Sequence, residues 1–309
     1  MRFSYAFRSI LALGCVSVLT VSGPRRVDAY QQVLTQILFD NHVDIFVMDP
    51  DGTNVNRVIR SPDGKVSRDA VWSPDKKRIA FISDRDGGRE IYVADANGTN
   101  ISRLTYTTEG GARYSPRWAP DGAQIAYRAG GQIFVMKADG SDSRSLTPRE
   151  LVAAWPAWSP DGNKIAFAGG QQGPRNIYVM NSDGSDAHPL TRRTIGSAGG
   201  VDWSPDGKKI LFDAGPGRES PWNIWVIGAD GSNERQLTKT TDGKYTSRPV
   251  WSPDGKRIAF HSNRDGTATG LIGESAVENA MEIYVMDADG SRVRRLTFNT
   301  SPDSHPDWR

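Results

Sequence analysis

The sequence predicts an all-β protein assembled from six copies of one unit, and three features that recur in a fixed order predict it. The first is a tryptophan, which stands before a Pro-Asp turn in five copies and near the C-terminus in the sixth: Trp72, Trp118, Trp158, Trp203, Trp251 and Trp308. The second is an apolar run resembling "IYVM", which starts at Ile45, Ile91, Ile133, Ile177, Ile224 and Ile283. The third is a tight turn after each run, with its glycine at Gly52, Gly98, Gly140, Gly184, Gly231 and Gly290.

One unit contains four short apolar segments, labelled a to d along the chain. In the last complete copy they are "SRPVW", "RIAF", "EIYVMD" and "RRLT". Short segments rich in Ile, Val, Tyr and Phe and bounded by Gly, Pro and Asp are typical of β-strands. The "SPDG" stretch between a and b and the Asp-Gly pair between c and d supply the backbone angles of tight turns. Each unit is therefore predicted to be a four-stranded antiparallel sheet.

Six such sheets must stack, because an isolated sheet of this size leaves both apolar faces in water. Radial stacking closes the array without long exposed edges. The tryptophans are spaced 46, 40, 45, 48 and 57 residues apart, which suits four-stranded blades. The predicted fold is a six-bladed β-propeller over residues 30–309. The stretch "QILFD" lacks an a strand and "SHPDWR" lacks a b strand. We expect these two to pair and complete one blade, with Trp308 covering Ile37 and Phe39.

Residues 1–29 have the pattern of a secretory signal peptide. Arg2 and Arg8 precede an apolar run from Ser9 to Gly23, and "VDA" ends at Ala29 with the small-residue spacing of a cleavage site. The run is shorter than the roughly 20 residues that span a bilayer, so cleavage is favoured over a retained membrane anchor.

Charge and cysteine content exclude several functions. Residues 1–29 contain four Arg and one Asp, so their removal changes the formal charge from +2 to −1. Such a chain lacks the basic surface that nucleic acids or anionic membranes require, and we expect neither as a partner. Cys15, the one cysteine, lies in the signal segment, so no disulfide and no thiol chemistry is expected.

The repeat also carries a family resemblance. "WSPDGKRIAFHSNRDG" followed by "IYVMDADGSRVRRLT" resembles the TolB-type, WD40-like Pro-Asp propeller repeat, over essentially residues 30–309. The resemblance implies a periplasmic or secreted bacterial protein that binds a protein or peptide in the cell envelope. We expect a monomer with no cofactor, and no room for the additional N-terminal α/β domain that accompanies the propeller in TolB.

The expected binding surface lies where the b–c and d–a connections meet. The b–c connections vary in length whereas the a–b and c–d turns are nearly constant, and function tends to collect in variable loops. In each a strand the residues one and three places before the tryptophan should face the central channel. With two tryptophans outside the repeat pattern, the candidate binding residues are Asp69, Arg117, Trp155, Asp202, Trp222, Arg248, His305 and Asp307. The long insertion Thr267–Met281 is predicted to form a flap, a lid or a partner contact.

Catalysis is the alternative class of function. "GESAV", from Gly273 to Val277, lacks the second glycine of a nucleophile elbow, so a serine hydrolase is disfavoured. The repeat alignment places His42, His261 and His305 on the variable side. Neutral imidazoles can hold a divalent ion, which gives a metal-dependent, polysaccharide-lyase-like enzyme as the alternative. Their spacing matches no known ligand motif, so we expect no catalytic residue and no metal.

Overall fold

The computed structural model describes residues 35–107, 111–171, 173–216, 221–240, 244–266 and 281–309. Within these ranges the chain forms 24 β-strands. The predicted signal segment, residues 1–29, and the predicted insertion up to residue 280 lie outside the described residues. No helix in the described part of the chain is long and apolar enough to cross a membrane.

The strands form six four-stranded antiparallel sheets, each in the predicted a–b–c–d order. The first sheet joins the last strand of the chain to the first three: β24 (Ser304–Trp308), β1 (Ile37–Asp40), β2 (Ile45–Met48) and β3 (Asn56–Ile59). The next two are β4 (Ser67–Trp72), β5 (Arg78–Ser83), β6 (Glu90–Asp95) and β7 (Ser102–Arg103), then β8 (Arg113–Trp118), β9 (Gln124–Ala129), β10 (Gln132–Lys137) and β11 (Arg144–Ser145).

The remaining three sheets continue the pattern around the ring. They are β12 (Val152–Trp158), β13 (Lys164–Gly170), β14 (Asn176–Asn181) and β15 (His188–Pro189); β16 (Ser197–Trp203), β17 (Lys209–Gly215), β18 (Asn223–Gly228) and β19 (Arg235–Gln236); and β20 (Thr246–Trp251), β21 (Arg257–Ser262), β22 (Glu282–Asp287) and β23 (Arg294–Arg295). The fold is all-β, a six-bladed propeller, as predicted. The outermost strand is shorter than the sequence pattern indicates, with only two residues in five of the blades.

The predicted clasp between the two ends of the propeller is confirmed. Trp308 on β24 lies opposite Ile37 on β1, and Asp307 lies opposite Leu38. The N–H of Gln36 extends the pairing by donating to the carbonyl of Arg309 at 3.0 Å. The ring is therefore closed by noncovalent pairing of its first and last strands.

Apolar clusters between neighbouring blades form the core. Phe39 and Trp308 of the first blade pack with Val250 and Ile283 of the last one, and equivalent clusters join the other blades. Each blade also stacks its b-strand aromatic on a c-strand aromatic, as Phe81 does on Tyr92 at 5.8 Å between ring centroids. Because each sheet buries apolar side chains against a neighbour on either side, the blades stabilise one another.

The constant turns hold adjacent blades together at one end of the ring. Gly98, in a c–d turn, has φ +81°, and a Cβ there would come within 1.9 Å of the carbonyl oxygen of Val58 in the preceding blade. Only glycine permits both this backbone conformation and this approach. Lys76 replaces glycine in one a–b turn and adopts φ +59°.

Candidate functional site

A β-bulge interrupts each innermost strand three residues before its tryptophan. The residues there have φ between 40° and 54°, although five of the six are not glycine: Asp69, Ser115, Trp155, Gly200, Arg248 and His305. The strand registers shift at the same places. A bulge redirects side chains and frees a backbone N–H from the ladder. Polar side chains from neighbouring blades accept several of the freed N–H groups.

The central level of the channel holds a charged network around His305. The His305 Nδ1 lies 2.9 Å from Asp40 Oδ2, and its Nε2 lies 3.6 Å from Asp69 Oδ1. The backbone N–H of Asp69 donates to Asp40 at 3.1 Å, which links the first two blades. Asp40 and Asp69 are both buried. Asp69 and His305 are two of the candidate residues that the repeat pattern indicates, whereas Asp40 is not.

The carboxylate of Asp69 and the imidazole of His305 stabilise each other's charge. Burial acts to raise the pKa of Asp69, but the positive charges of His305, Arg248 and Arg117 outweigh it and lower that pKa. Burial likewise acts to lower the pKa of His305, but Asp69 and Asp40 outweigh it and raise that pKa. His305 therefore keeps its positive charge to a higher pH than a free histidine does.

The three histidines of the predicted metal site do lie together. The ring centroids of His261 and His305 are 5.6 Å apart, and those of His42 and His305 are 6.2 Å apart. Their nitrogens, however, contact other groups. His261 Nε2 lies 2.6 Å from Ser247 Oγ and its Nδ1 accepts the backbone N–H of His305, while His42 Nε2 lies 2.9 Å from Ser304 Oγ.

This arrangement is that of a hydrogen-bonded charge network. Burial, together with the positive charges of His305 and Arg248, holds the pKa of His261 well below its usual value. No group of three or more His, Cys, Asp or Glu side chains among the described residues is arranged to hold a metal ion. The geometry therefore favours a neutral, hydrogen-bonded His261 beside a charged His305.

Two guanidinium groups lie over the Trp155 ring at the same level of the channel. The Arg248 guanidinium is 5.0 Å from the Trp155 ring centroid and that of Arg175 is 5.4 Å away. The backbone N–H of Arg248 donates a hydrogen bond to Asp213 Oδ2 at 2.7 Å. Burial raises the pKa of Asp213 to about 6 although that N–H opposes the shift. A half-buried tryptophan thus lies beside two cations, and a buried carboxyl group anchors the backbone of Arg248, which carries one of them.

A cavity of about 290 Å³ occupies the other end of the channel, beside the constant a–b turns. Arg117, Asp202 and Asp307 line it together with turn prolines and the edges of the repeat tryptophans. Asp307 Oδ2 accepts a hydrogen bond from the backbone N–H of Trp72 at 2.9 Å. Asp202 Oδ2 accepts one from the backbone N–H of Trp251 at 2.8 Å. Burial raises the pKa of Asp202 to about 6. These two aspartates also tie adjacent blades together.

The eight predicted residues consequently occupy three places. Asp69, Trp155, Arg248 and His305 lie at the bulges, and Asp202 and Asp307 lie one level nearer the constant turns. Arg117 lines both this cavity and a narrow one of about 10 Å³ at the central level. Trp222 lies in a b–c connection, where its N–H donates to the carbonyl of Lys244 at 3.3 Å and its carbonyl accepts the N–H of Thr246. It lines neither axial cavity.

Two buried aspartates of the site escaped sequence analysis. Asp40 and Asp213 each follow the b-strand aromatic directly, at a place where the other blades carry Ile82, Arg128, Ala168 and His261. A carboxylate directly after the b-strand aromatic, in these two copies of the repeat, was the available signal.

Six four-stranded blades closed around a polar channel define a six-bladed β-propeller built from Pro-Asp repeats. The family model of the TolB beta propeller domain matches residues 21–151 and 111–217, together more than half of the chain. The chain therefore belongs to the TolB β-propeller domain family. No curated protein matches the sequence.

Solved structures agree with this fold. A putative TolB from Agrobacterium tumefaciens is similar at a TM-score of 0.67 and 23% identity, over 87% of this chain and 90% of that one. TolB from Acinetobacter baumannii is similar at 0.69 and 21% identity, over 92% and 71%. An oligogalacturonate lyase in complex with manganese is similar at 0.56 and 16% identity, over 84% and 72%. At these identities the likeness establishes the fold alone.

Proposed function

We propose that this chain is a non-catalytic, monomeric binding protein of the bacterial cell envelope. Its partner is a protein or peptide segment that meets the ring at the b–c and d–a end and contacts the channel side chains. Membership in the TolB propeller family and the signal-like residues 1–29 support a periplasmic or secreted location.

The observation that carries the proposal is the position of Trp155, with the guanidinium groups of Arg175 and Arg248 over its ring. Tryptophan and arginine are the side chains most enriched among residues that dominate binding energy at protein interfaces. Asp213 accepts the backbone N–H of Arg248, and the β-bulges fix the backbone that carries the Trp155 and Arg248 side chains. Side chains that are already ordered lose little conformational entropy when a partner binds.

The charges at the channel favour a partner segment that carries both positive and negative groups. Asp69 and His305 present opposite charges at the axis, and Arg248 adds a second cation. Such a pattern selects the orientation of a charged loop or chain end more than it adds affinity.

Affinity capture from periplasmic extract tests the proposal. We expect envelope proteins retained by the wild type to be lost, by about tenfold or more, with Trp155→Ala and with Arg248→Ala. Arg144→Ala, an exposed arginine on the outermost strand of another blade, serves as the matched control and should retain them. Equal capture by all four proteins, or no specific capture by the wild type, would refute this surface. Light scattering on the purified protein tests the monomer.

The histidine cluster does not favour the lyase alternative, because the ring nitrogens of His261 and His305 already contact Ser247, Asp40, Asp69 and backbone.

A further inference from the structure

A third cavity, of about 250 Å³, lies at the seam where the ring closes. The first blade and the connection that leads into β24 line it: Phe39, Asn41, Phe46, Val55, Asn299, Ser301 and Asp303. It shares no lining residue with the axial cavities. Its volume is below the ~300–1,000 Å³ of sites for drug-sized ligands, so it suits one side chain or one small molecule.

Asp303 gives this cavity its chemistry. The residue is 1% exposed, and its Oδ1 has no hydrogen-bond partner among the residues that the structure describes. Its Oδ2 accepts the Asn299 side-chain amide at 2.6 Å. Leaving a buried polar atom without a partner is costly, and such an atom in a native protein needs an explanation, for example a water molecule or an ion.

Among the residues that the structure describes, no cation forms an ion pair with Asp303. Glu282, which faces it, forms an ion pair with Arg295, and Asp40 contacts His305. His42, on the other side, contacts Ser304. Burial raises the pKa of Asp303 to about 7, with the side chains of Asn299 and Thr297 opposing the shift and the charges of Glu282 and Asp40 adding to it. An incoming cation would stabilise the ionised form of Asp303.

The rest of the lining is apolar and aromatic. Phe39 and Phe46 stack with 5.5 Å between their ring centroids, and Val55 is half exposed. Aromatic faces attract ammonium groups, and apolar walls accept a short alkyl chain. We propose that the seam cavity binds a primary alkylammonium group, which donates to Asp303 while its methylene chain lies against Phe46 and Val55. Its source is a lysine side chain of a partner or a small free amine.

Methyl-detected NMR titration of the full chain with n-butylammonium tests the proposal. The Val55 methyl signals should shift, whereas those of Val293, which occupies the same position of its own repeat outside this cavity, should not. 1-Butanol should leave Val55 unchanged. Asp303→Asn should weaken binding by about ten- to a hundredfold, because it removes a hydrogen bond to a charged acceptor. Asp186→Asn, which removes a charge from an exposed aspartate, should leave affinity unchanged.

Two further arms make the outcome decisive. Binding should be roughly tenfold weaker at pH 6 than at pH 8, since Asp303 must lose its proton while the amine keeps its own. If Asp303→Asn fails to fold, Val55→Phe, which fills the opening, should abolish binding instead. A lysine tripeptide that binds more tightly than butylammonium, with its norleucine analogue inactive, identifies a partner's lysine; the reverse order identifies a free amine. No shift of Val55, equal shifts of Val293, or full binding by Asp303→Asn would overturn the site.

Discussion

Replacing Trp308 with alanine should open the ring at its seam. Trp308 is 1% exposed, lies opposite Ile37 and shares an apolar cluster with Phe39. The Arg257 guanidinium stands 4.7 Å from its ring centroid. Its strand has five residues, and only noncovalent contacts hold it to the first strand of the propeller.

The structure allows the size of the effect to be worked out. Truncation of a buried tryptophan to alanine costs about 3–5 kcal/mol, and loss of the desolvated cation–π contact adds about 0.5–2 kcal/mol. We expect the free energy of unfolding to fall by roughly 4–6 kcal/mol, a large part of the ~5–15 kcal/mol of a typical domain. At about 2–4 °C per kcal/mol for a chain of this size, Tm should fall by roughly 10–20 °C.

Trp118→Ala is the matched control for the seam. Trp118 occupies the same place in its repeat, is 7% exposed, and has the Arg78 guanidinium 4.6 Å from its ring centroid. Its strand, however, is continuous with the chain on both sides. Both variants should lose similar stability in urea unfolding followed by circular dichroism. In hydrogen exchange at low denaturant, only Trp308→Ala should deprotect the amides of Ile37–Asp40, because only there can the strand detach from a chain end.

Two results would refute this role of the last strand. Either the amides of Ile37–Asp40 stay protected in Trp308→Ala, or they exchange equally fast in Trp118→Ala.

Three further predictions concern buried charge and backbone. Burial keeps the proton on Asp213 in the folded state between about pH 4 and its pKa of about 6, so wild-type stability should fall as pH rises through that window. The free energy of unfolding of Asp213→Asn, measured with urea, should rise by up to about 3 kcal/mol relative to that of the wild type between these pH values. A difference that does not depend on pH would contradict the desolvation argument. Gly98→Ala should lower the free energy of unfolding by about 3 kcal/mol or more, because backbone strain adds to a clash with a neighbouring carbonyl. Gly64→Ala, at φ +72° with open space around it, should lower that free energy by about 1–2 kcal/mol, as measured by thermal unfolding. In ¹⁵N NMR at pH 6, His261 should be neutral with its proton on Nε2 while His305 is doubly protonated; titration of His261 near pH 6.5 would count against its burial in the network.

The repeat made most of the architecture predictable. A tryptophan, an apolar run and an Asp-Gly turn in six ordered copies fix strand number and blade number, and the incomplete first and last copies predict the clasp between Ile37 and Trp308. Local signals suffice here because each copy repeats the same turn chemistry and the same period-two pattern.

The binding site was only partly predictable. Period-two alternation places Asp69 and Arg248 toward the channel, but it does not reveal the bulges, whose left-handed φ angles fall on residues that rarely adopt them. Asp40 and Asp213 acquire their roles from N–H groups in the next blade, at Asp69 and Arg248. Such partners are distant in sequence, and no local pattern specifies them.

The repeat pattern specifies the number of blades, the order of strands within them and the pairing of the two ends, because backbone angles and side-chain period are local properties. The closed ring specifies which carboxyl groups meet which cations, where cavities remain, and that one Asp303 oxygen has no hydrogen-bond partner among the described residues. Burial and charge at the channel and at the seam are sums over several blades, so they exist only once the ring has closed.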